Sequence, residues 1–156
     1  MSTFEPYVRP AIPADRDVLV EFACAMARET EQRELDVATV RAGVEALLAD
    51  PTRGRVFVVD LGGRAVATLM LTLEWSEWRN GFLWWIQSVY VAPEHRQRGF
   101  YRMLHEHVRA LAREAGDVRG LRLYVERDNR RAQATYRRMG MEETGYLVYE
   151  EEIRRA

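Results

Sequence analysis

Arg96, Arg98 and Gly99 stand where an apolar run, Val89-Tyr90-Val91, gives way through Ala92-Pro93-Glu94-His95 to a segment with helical spacing. A helix that begins after such a loop exposes unpaired backbone N–H groups and the positive end of its dipole. That geometry binds phosphate. Gly99 lets the backbone come close to a ligand, and the two guanidinium groups add charge. Taken alone, the loop also fits a solvated turn with ordinary capping. A second stretch, Leu123 to Met141, reads as a strand followed by a helix with Asn129 in its first turn and Tyr136 further along. Seven residues are two helical turns, so both side chains can share one face. Asn129 fits a helix cap as well as a ligand contact. Tyr136 fits a core aromatic with a bonded hydroxyl as well as an acid.

Other residues could contribute. Glu29, Glu31 and Glu74 are carboxylates that could take a proton through water, and Glu29 and Glu74 rank first. Each also fits a solvated surface. Trp75, Trp78, Trp84 and Trp85 fall within one hairpin. Side chains alternate along a strand, so Trp84 and Trp85 face opposite sides and one packs under a helix. Beside Glu74 an aromatic wall could receive a cationic amine, with Tyr146 and Tyr149 closing the pocket. The other reading is core packing plus a capped hairpin. His95, His105 and His107 have no metal-ligand spacing, and no metal is expected. Cys24 is the one cysteine, which removes an intrachain disulfide. All 23 basic residues are Arg, which removes a Schiff-base or P-loop lysine.

These residues need elements to hold them. Tyr7 to Ala11 reads as a strand, and Asp15 as the N-cap of a helix over 16–29. A second helix spans Asp36 to Ala49. Strands follow at Arg55–Asp60, Ala65–Trp75 and Phe82–Val91, the first two joined by a turn at Gly62-Gly63. A helix over Gly99–Ala115, a strand over Leu121–Val125, a helix over Asn129–Met139 and a last strand over Tyr146–Ile153 complete the order. Runs such as Val56-Phe57-Val58-Val59 are apolar on both faces and predict a sheet covered on both sides. Short turns make the second to fourth strands antiparallel, and the helix crossover makes the fifth parallel to the fourth. The expectation is an α/β fold, one three-layer domain over residues 1–156 with a mixed, mostly antiparallel sheet and helices on both faces.

The chain has 23 Lys+Arg against 24 Asp+Glu, a net charge of −1. That balance argues against nucleic acid as a partner and against a polybasic membrane surface. Met1–Pro10 has no apolar core of signal-peptide length, and no run approaches ~18 apolar residues. A cytoplasmic protein is expected.

The ordered set of motifs is more specific than any piece. The spacing Val-x-x-x-Asn-x-x-Ala-x-x-x-Tyr-x-x-x-Gly from Val125, with Arg96-x-x-Gly99 after Val89-Tyr90-Val91 and Val8-Arg9-Pro10-Ala11 before Asp15, resembles the GNAT acyltransferase superfamily over nearly the whole chain. The resemblance implies an acetyl-CoA-dependent N-acetyltransferase that moves the acetyl group to a primary amine by direct attack on the thioester. It implies a cleft where the fourth and fifth strands splay. Val89, Tyr90 and Val91 would line the pantetheine, Arg96, Gln97, Arg98, Gly99, Phe100 and Tyr101 would form the pyrophosphate loop, Asn129 would contact the CoA arm, and Tyr136 would protonate the leaving thiolate. Gln87-Ser88 stands where many members carry a basic Glu, so the base would be Glu29 or Glu74 through water. A small-molecule amine would meet Trp75, Trp85, Gln87 and Tyr146. Tyr101 replaces the usual Gly or Ala, and its ring either faces the pantetheine or turns into the helix interface. A peptide or protein acceptor, and a non-catalytic acyl-CoA-binding module, are the alternatives. Dimers are frequent in the family, which leaves a homodimer open.

Overall fold

The computed structural model describes residues 4–154; positions 1–3 and 155–156 of the expected 1–156 domain lie outside the described residues. By contacts the chain divides into two compact units, Met1–Tyr124 and Val125–Ala156.

The first unit carries β1 (Tyr7–Pro10), α1 (Arg16–Glu31), α2 (Val37–Ala49), β2 (Arg55–Leu61), β3 (Arg64–Ser76), β4 (Gly81–Val91), α3 (Phe100–Ala115) and β5 (Val118–Arg122). The strands form one sheet in the order β1-β2-β3-β4-β5. The first four are mutually antiparallel, and β5 lies parallel to β4. Both relations follow from connection length, as the sequence predicts. Alternation along the strands gives each face its own core. Phe57, Val59, Leu69, Leu71, Trp84 and Ile86 meet Phe100, Leu104 and Val108 of α3. On the other face Val56 and Val58 meet Leu19 of α1, with Val44, Leu47 and Leu48 of α2 against them. The sheet is therefore covered on both sides, and its apolar runs are explained.

Asp15 does something other than its expected capping. It occupies the N-cap position of α1 but makes no side-chain cap bond. Its carboxylate instead holds Arg9 by two bonds, Nη1 to Oδ2 at 2.7 Å and Nη2 to Oδ1 at 3.0 Å. It also accepts from Ile12 N at 2.8 Å. Arg9 Nε reaches Asp60 Oδ2 at 2.9 Å, and both aspartates are buried. Burial alone would raise the Asp15 carboxyl; Arg9 and the Ile12 amide outweigh it and hold it below its ordinary value. A fork-shaped guanidinium bridges two carboxylates better than an ammonium can. Arg9→Met is expected to destabilise the fold by about 3–5 kcal/mol, because it strands two buried carboxylates. Arg9→Lys should recover only part of that loss in urea unfolding at pH 7.

His105 of α3 is fully buried. Arg109 Nη2 lies 3.1 Å from its Nε2 and Tyr101 Oη 2.9 Å from its Nδ1. A guanidinium only donates, so Nε2 accepts and Nδ1 carries the proton, which it donates to the Tyr101 oxygen. Burial first, then Arg109, pushes the imidazole down to about 4. The unfolded chain therefore binds more protons between pH 6.5 and 4, and stability falls as pH drops through that window. The expected loss is on the order of 3 kcal/mol. Urea unfolding at several pH values checks it, and His105→Gln should flatten the slope.

The second unit carries α4 (Arg130–Arg138). Asn129 Oδ1 accepts from Ala132 N at 3.1 Å and caps the helix. The expected last strand over Tyr146–Ile153 is not formed. The sheet has five strands among the described residues, and residues 142–154 are exposed. Alternation assigns side chains to faces, but a strand exists only when its backbone groups enter a ladder. The run Glu150-Glu151-Glu152 repels itself and favours solvent.

Candidate active site

β4 is paired to β5 only from Phe82 to Trp85. From Ile86 to Val91 it has no β5 partner, because β5 ends at Arg122, the residue opposite Trp85. A strand edge left this way offers backbone N–H and C=O groups to an extended ligand. On its other side β4 carries one extra residue against β3. Thr68 faces Tyr90 while Met70 faces Gln87. The extra residue is a β-bulge, and Ser88 sits in it at φ 49°. A left-handed serine is uncommon and marks a constrained backbone. The bulge also switches the faces of β4. Val89 packs with the α3-side cluster, and Tyr90 turns to α1 and Phe22.

The loop after β4 ends in two further left-handed residues, Gln97 at φ 62° and Gly99 at φ 79°. Gly99 is the N-cap of α3. The first bond back to this turn runs from Met103 N to Gly99 O at 3.0 Å, so the preceding amides emerge from the helix end. A Cβ on Gly99 would meet nothing within 4 Å. The space above the turn is open, as close approach of a ligand needs. The Phe100 ring is buried, so only its backbone is available there. Arg98 lies over that ring at 5.0 Å and meets His95 Nδ1 at 2.9 Å. Tyr101 turns its hydroxyl along α3 to His105, which resolves its placement in favour of the helix.

Arg96 is held at both ends. Its Nε donates to Val91 O at 3.0 Å and its Nη2 to Glu29 Oε2 at 2.6 Å. Glu29 Oε1 also accepts from the Tyr90 hydroxyl at 2.8 Å. Glu29 thus fastens the end of α1 to β4 and to the loop before α3. Burial would raise its carboxyl, but Tyr90 and Arg96 outweigh that and hold it below the usual range. A base tuned downward is a weaker one near neutral pH.

Glu74 lies on the opposite stretch of the same sheet face as Trp85 and Gln87. Trp85 Nε1 donates to Glu74 Oε2 at 2.6 Å, and Arg122 Nη1 reaches the same oxygen at 3.3 Å. Gln87 Nε2 donates to Thr72 Oγ1 at 2.5 Å. Tyr124 approaches Trp85 with ring centroids 6.1 Å apart. Trp75 is elsewhere: it pairs across the hairpin with Phe82, which packs on the α3 side. Trp84 is the tryptophan buried under a helix, and Trp78 is exposed. The four tryptophans therefore form no common wall; alternation had already divided Trp84 from Trp85, and the hairpin register divides Trp75 from Trp85.

In the second unit, Asn129 spends its side-chain oxygen on the α4 cap and keeps its NH₂ as donor. Burial pushes the Tyr136 phenol up. Tyr146 is exposed. The sequence missed the bulge at Ser88, although two polar residues inside the apolar run of β4 were its visible signal. It also missed the Tyr90–Glu29 link, which joins residues 61 apart and leaves no local trace. Among the described residues no helix is long and apolar enough to cross a membrane.

The sequence pattern of the Acetyltransferase (GNAT) family matches residues 18–141. Nothing among the curated proteins matches. A possible acetyltransferase from Clostridium difficile 630 is 39% identical, with a TM-score of 0.90 over 96% of this chain and 99% of that one. A predicted acetyltransferase with acetyl-CoA from Clostridium acetobutylicum is 16% identical, with a TM-score of 0.76 over 94% of this chain and 96% of that one. AAC(6')-Iy in complex with a bisubstrate analog is also 16% identical, with a TM-score of 0.73 over 96% of this chain and 99% of that one. These last two speak for the fold alone.

Proposed function

The chain belongs to the GNAT acetyltransferase family, and from that premise we propose that it moves the acetyl group of acetyl-CoA to the primary amine of a small molecule by direct attack on the thioester. The observation that carries the reading is the continuity of β4. Its edge is unpaired with β5 after Trp85, bulges at Ser88, and runs on to the left-handed Gly99 at the start of α3.

Each part has a task. The unpaired edge of β4 pairs with the pantetheine as an added strand would. The amides from Gln97 to Tyr101 take the pyrophosphate at the positive end of α3. A backbone N–H near Val89, just past the bulge, polarises the thioester carbonyl. The neutral amine nitrogen attacks that carbon, the C–N bond forms and the C–S bond breaks. Tyr136 supplies a hydrogen bond or proton to the leaving sulfur, and the surplus amine proton leaves through water. Gln87 cannot take that proton. Glu29 is engaged by Arg96 and Tyr90, which suits it to positioning the loop. Glu74, beside Trp85 and Gln87, is the carboxylate assigned to receive it. Asn129 offers its NH₂ to the CoA arm.

Incubation of the purified protein with acetyl-CoA and a pool of amines, amino acids and short peptides, read by mass spectrometry, tests this. An acetylated small amine is expected. Acetylation of peptides alone would replace the acceptor class, and bound acetyl-CoA with no product from any acceptor would favour a binding module.

A further inference from the structure

We propose that the cavity between α1, α2 and the sheet receives the apolar body of the acyl acceptor, which is therefore a primary amine carried on an alkyl or aryl group. This rests on the acetyl-transfer reading above and names the substrate class for that site. The cavity measures about 330 Å³, within the range of small-molecule sites.

Three observations point to an apolar occupant. First, α2 presents the stripe Val40, Val44 and Leu47, yet no residue of α2 is buried; the stripe faces Phe22 and Met26 of α1 across the cavity. A helix is normally held by burying such a stripe; Val44 and Leu47 do pack against the Leu19, Val56 and Val58 cluster, and the part of the stripe left uncovered lines the cavity. Second, Gly43 lies in the middle of α2 and lines the cavity. Glycine is the least favourable helix residue after proline, and a Cβ there would meet nothing within 4 Å. Packing does not demand glycine at this position; its effect is to keep the space clear. Third, the polar side chains are few: Arg53, Thr68 and Ser88. Thr68 donates its hydroxyl to Phe57 O at 3.2 Å. Arg53 is largely exposed and pairs with Asp50 at 3.4 Å. No carboxylate is among the lining residues, so the cavity has no counter-charge for a second ammonium.

Ser88 both lines the cavity and forms the β4 bulge. The space therefore opens onto the point where the thioester is attacked. An ammonium buried among these apolar side chains would be left unpaired, at high cost. The nitrogen belongs at the Ser88 end, where it sheds its proton, with the carbon body inside.

The test titrates n-alkylamines from ethyl to hexyl, 2-phenylethylamine and spermidine into the protein saturated with CoA, by calorimetry. Affinity is expected to improve roughly three- to fourfold per added methylene, with 2-phenylethylamine tight and spermidine weak. Gly43→Leu fills the cavity and should cost at least about tenfold in 2-phenylethylamine affinity; CoA affinity on the same sample reports the fold. Val40→Phe serves if that variant unfolds. A flat amine series with CoA bound, or full affinity in the filled variants, overturns the inference and leaves acetyl transfer standing. Loss of hexanoyl-CoA affinity in Gly43→Leu, with hexylamine unaffected, would assign the cavity to the acyl chain and overturn it too. Failure of the wild type to bind CoA would instead remove the acetyl-transfer reading itself.

Discussion

Gly99→Asp is expected to weaken acetyl-CoA binding about 10²-fold more than Gly99→Asn does. Gly99 holds φ 79° at the N-cap of α3, a conformation that costs most side chains about 1–2 kcal/mol, with Asn and Asp the usual exceptions. Both substitutions therefore carry a similar backbone cost. A Cβ meets nothing within 4 Å, so neither variant clashes with the protein itself. They differ in one negative charge placed where the proposed function puts the pyrophosphate. At about 5 Å and an effective dielectric near 20, one charge pair repels by about 3 kcal/mol, which corresponds to roughly 10²-fold. Salt should narrow the gap, because the turn is at the surface. Isothermal titration of acetyl-CoA at two ionic strengths measures the ratio. Equal affinities for the Asp and Asn variants would mean that the turn is not the phosphate site.

The positions legible in the sequence are those fixed by local physics. Helix and strand identities came from period and breakers, and α4 and its Asn129 cap came from a side chain bonding three residues ahead. The antiparallel run and the parallel return of β5 came from connection length. What the sequence left undetermined depends on partners far along the chain. Asp15 has the right type and place for a cap, yet it is taken by Arg9, which bridges it to Asp60 only once β1 has paired with β2. The separation of Trp75 from Trp85 depends on the register of one hairpin, where a one-residue slip reverses every face. The same is true of Glu29. Its neighbours on α1 say nothing of Tyr90 and Arg96, and those two outweigh burial and hold its carboxyl below the ordinary value. The last strand failed for the opposite reason: its local alternation was right for a strand, but the ladder it needed is absent among the described residues.

Tyr136→Phe is expected to lower kcat by about 10²- to 10³-fold, in the lower part of the roughly 10²- to 10⁴-fold that one general acid is worth, with KM for acetyl-CoA within a few-fold of wild type. The change removes one oxygen and keeps the ring, so α4 should retain its packing. A thiol of pKa about 8.5 leaves as an anion, and a phenol near 10 or above stays protonated throughout the working range. Burial raises the Tyr136 phenol further, which keeps the proton on the oxygen until sulfur develops charge. The higher phenol pKa makes full transfer to a free thiolate uphill, so most of the benefit lies in the hydrogen bond formed as the C–S bond breaks. That bond matters in proportion to the basicity of the leaving sulfur. With 4-nitrophenyl thioacetate as donor, whose leaving thiolate needs little help, the loss should shrink to a few-fold. A tyrosine that served only to pack α4 would depress both donors equally when replaced, and that result would remove Tyr136 from the reaction.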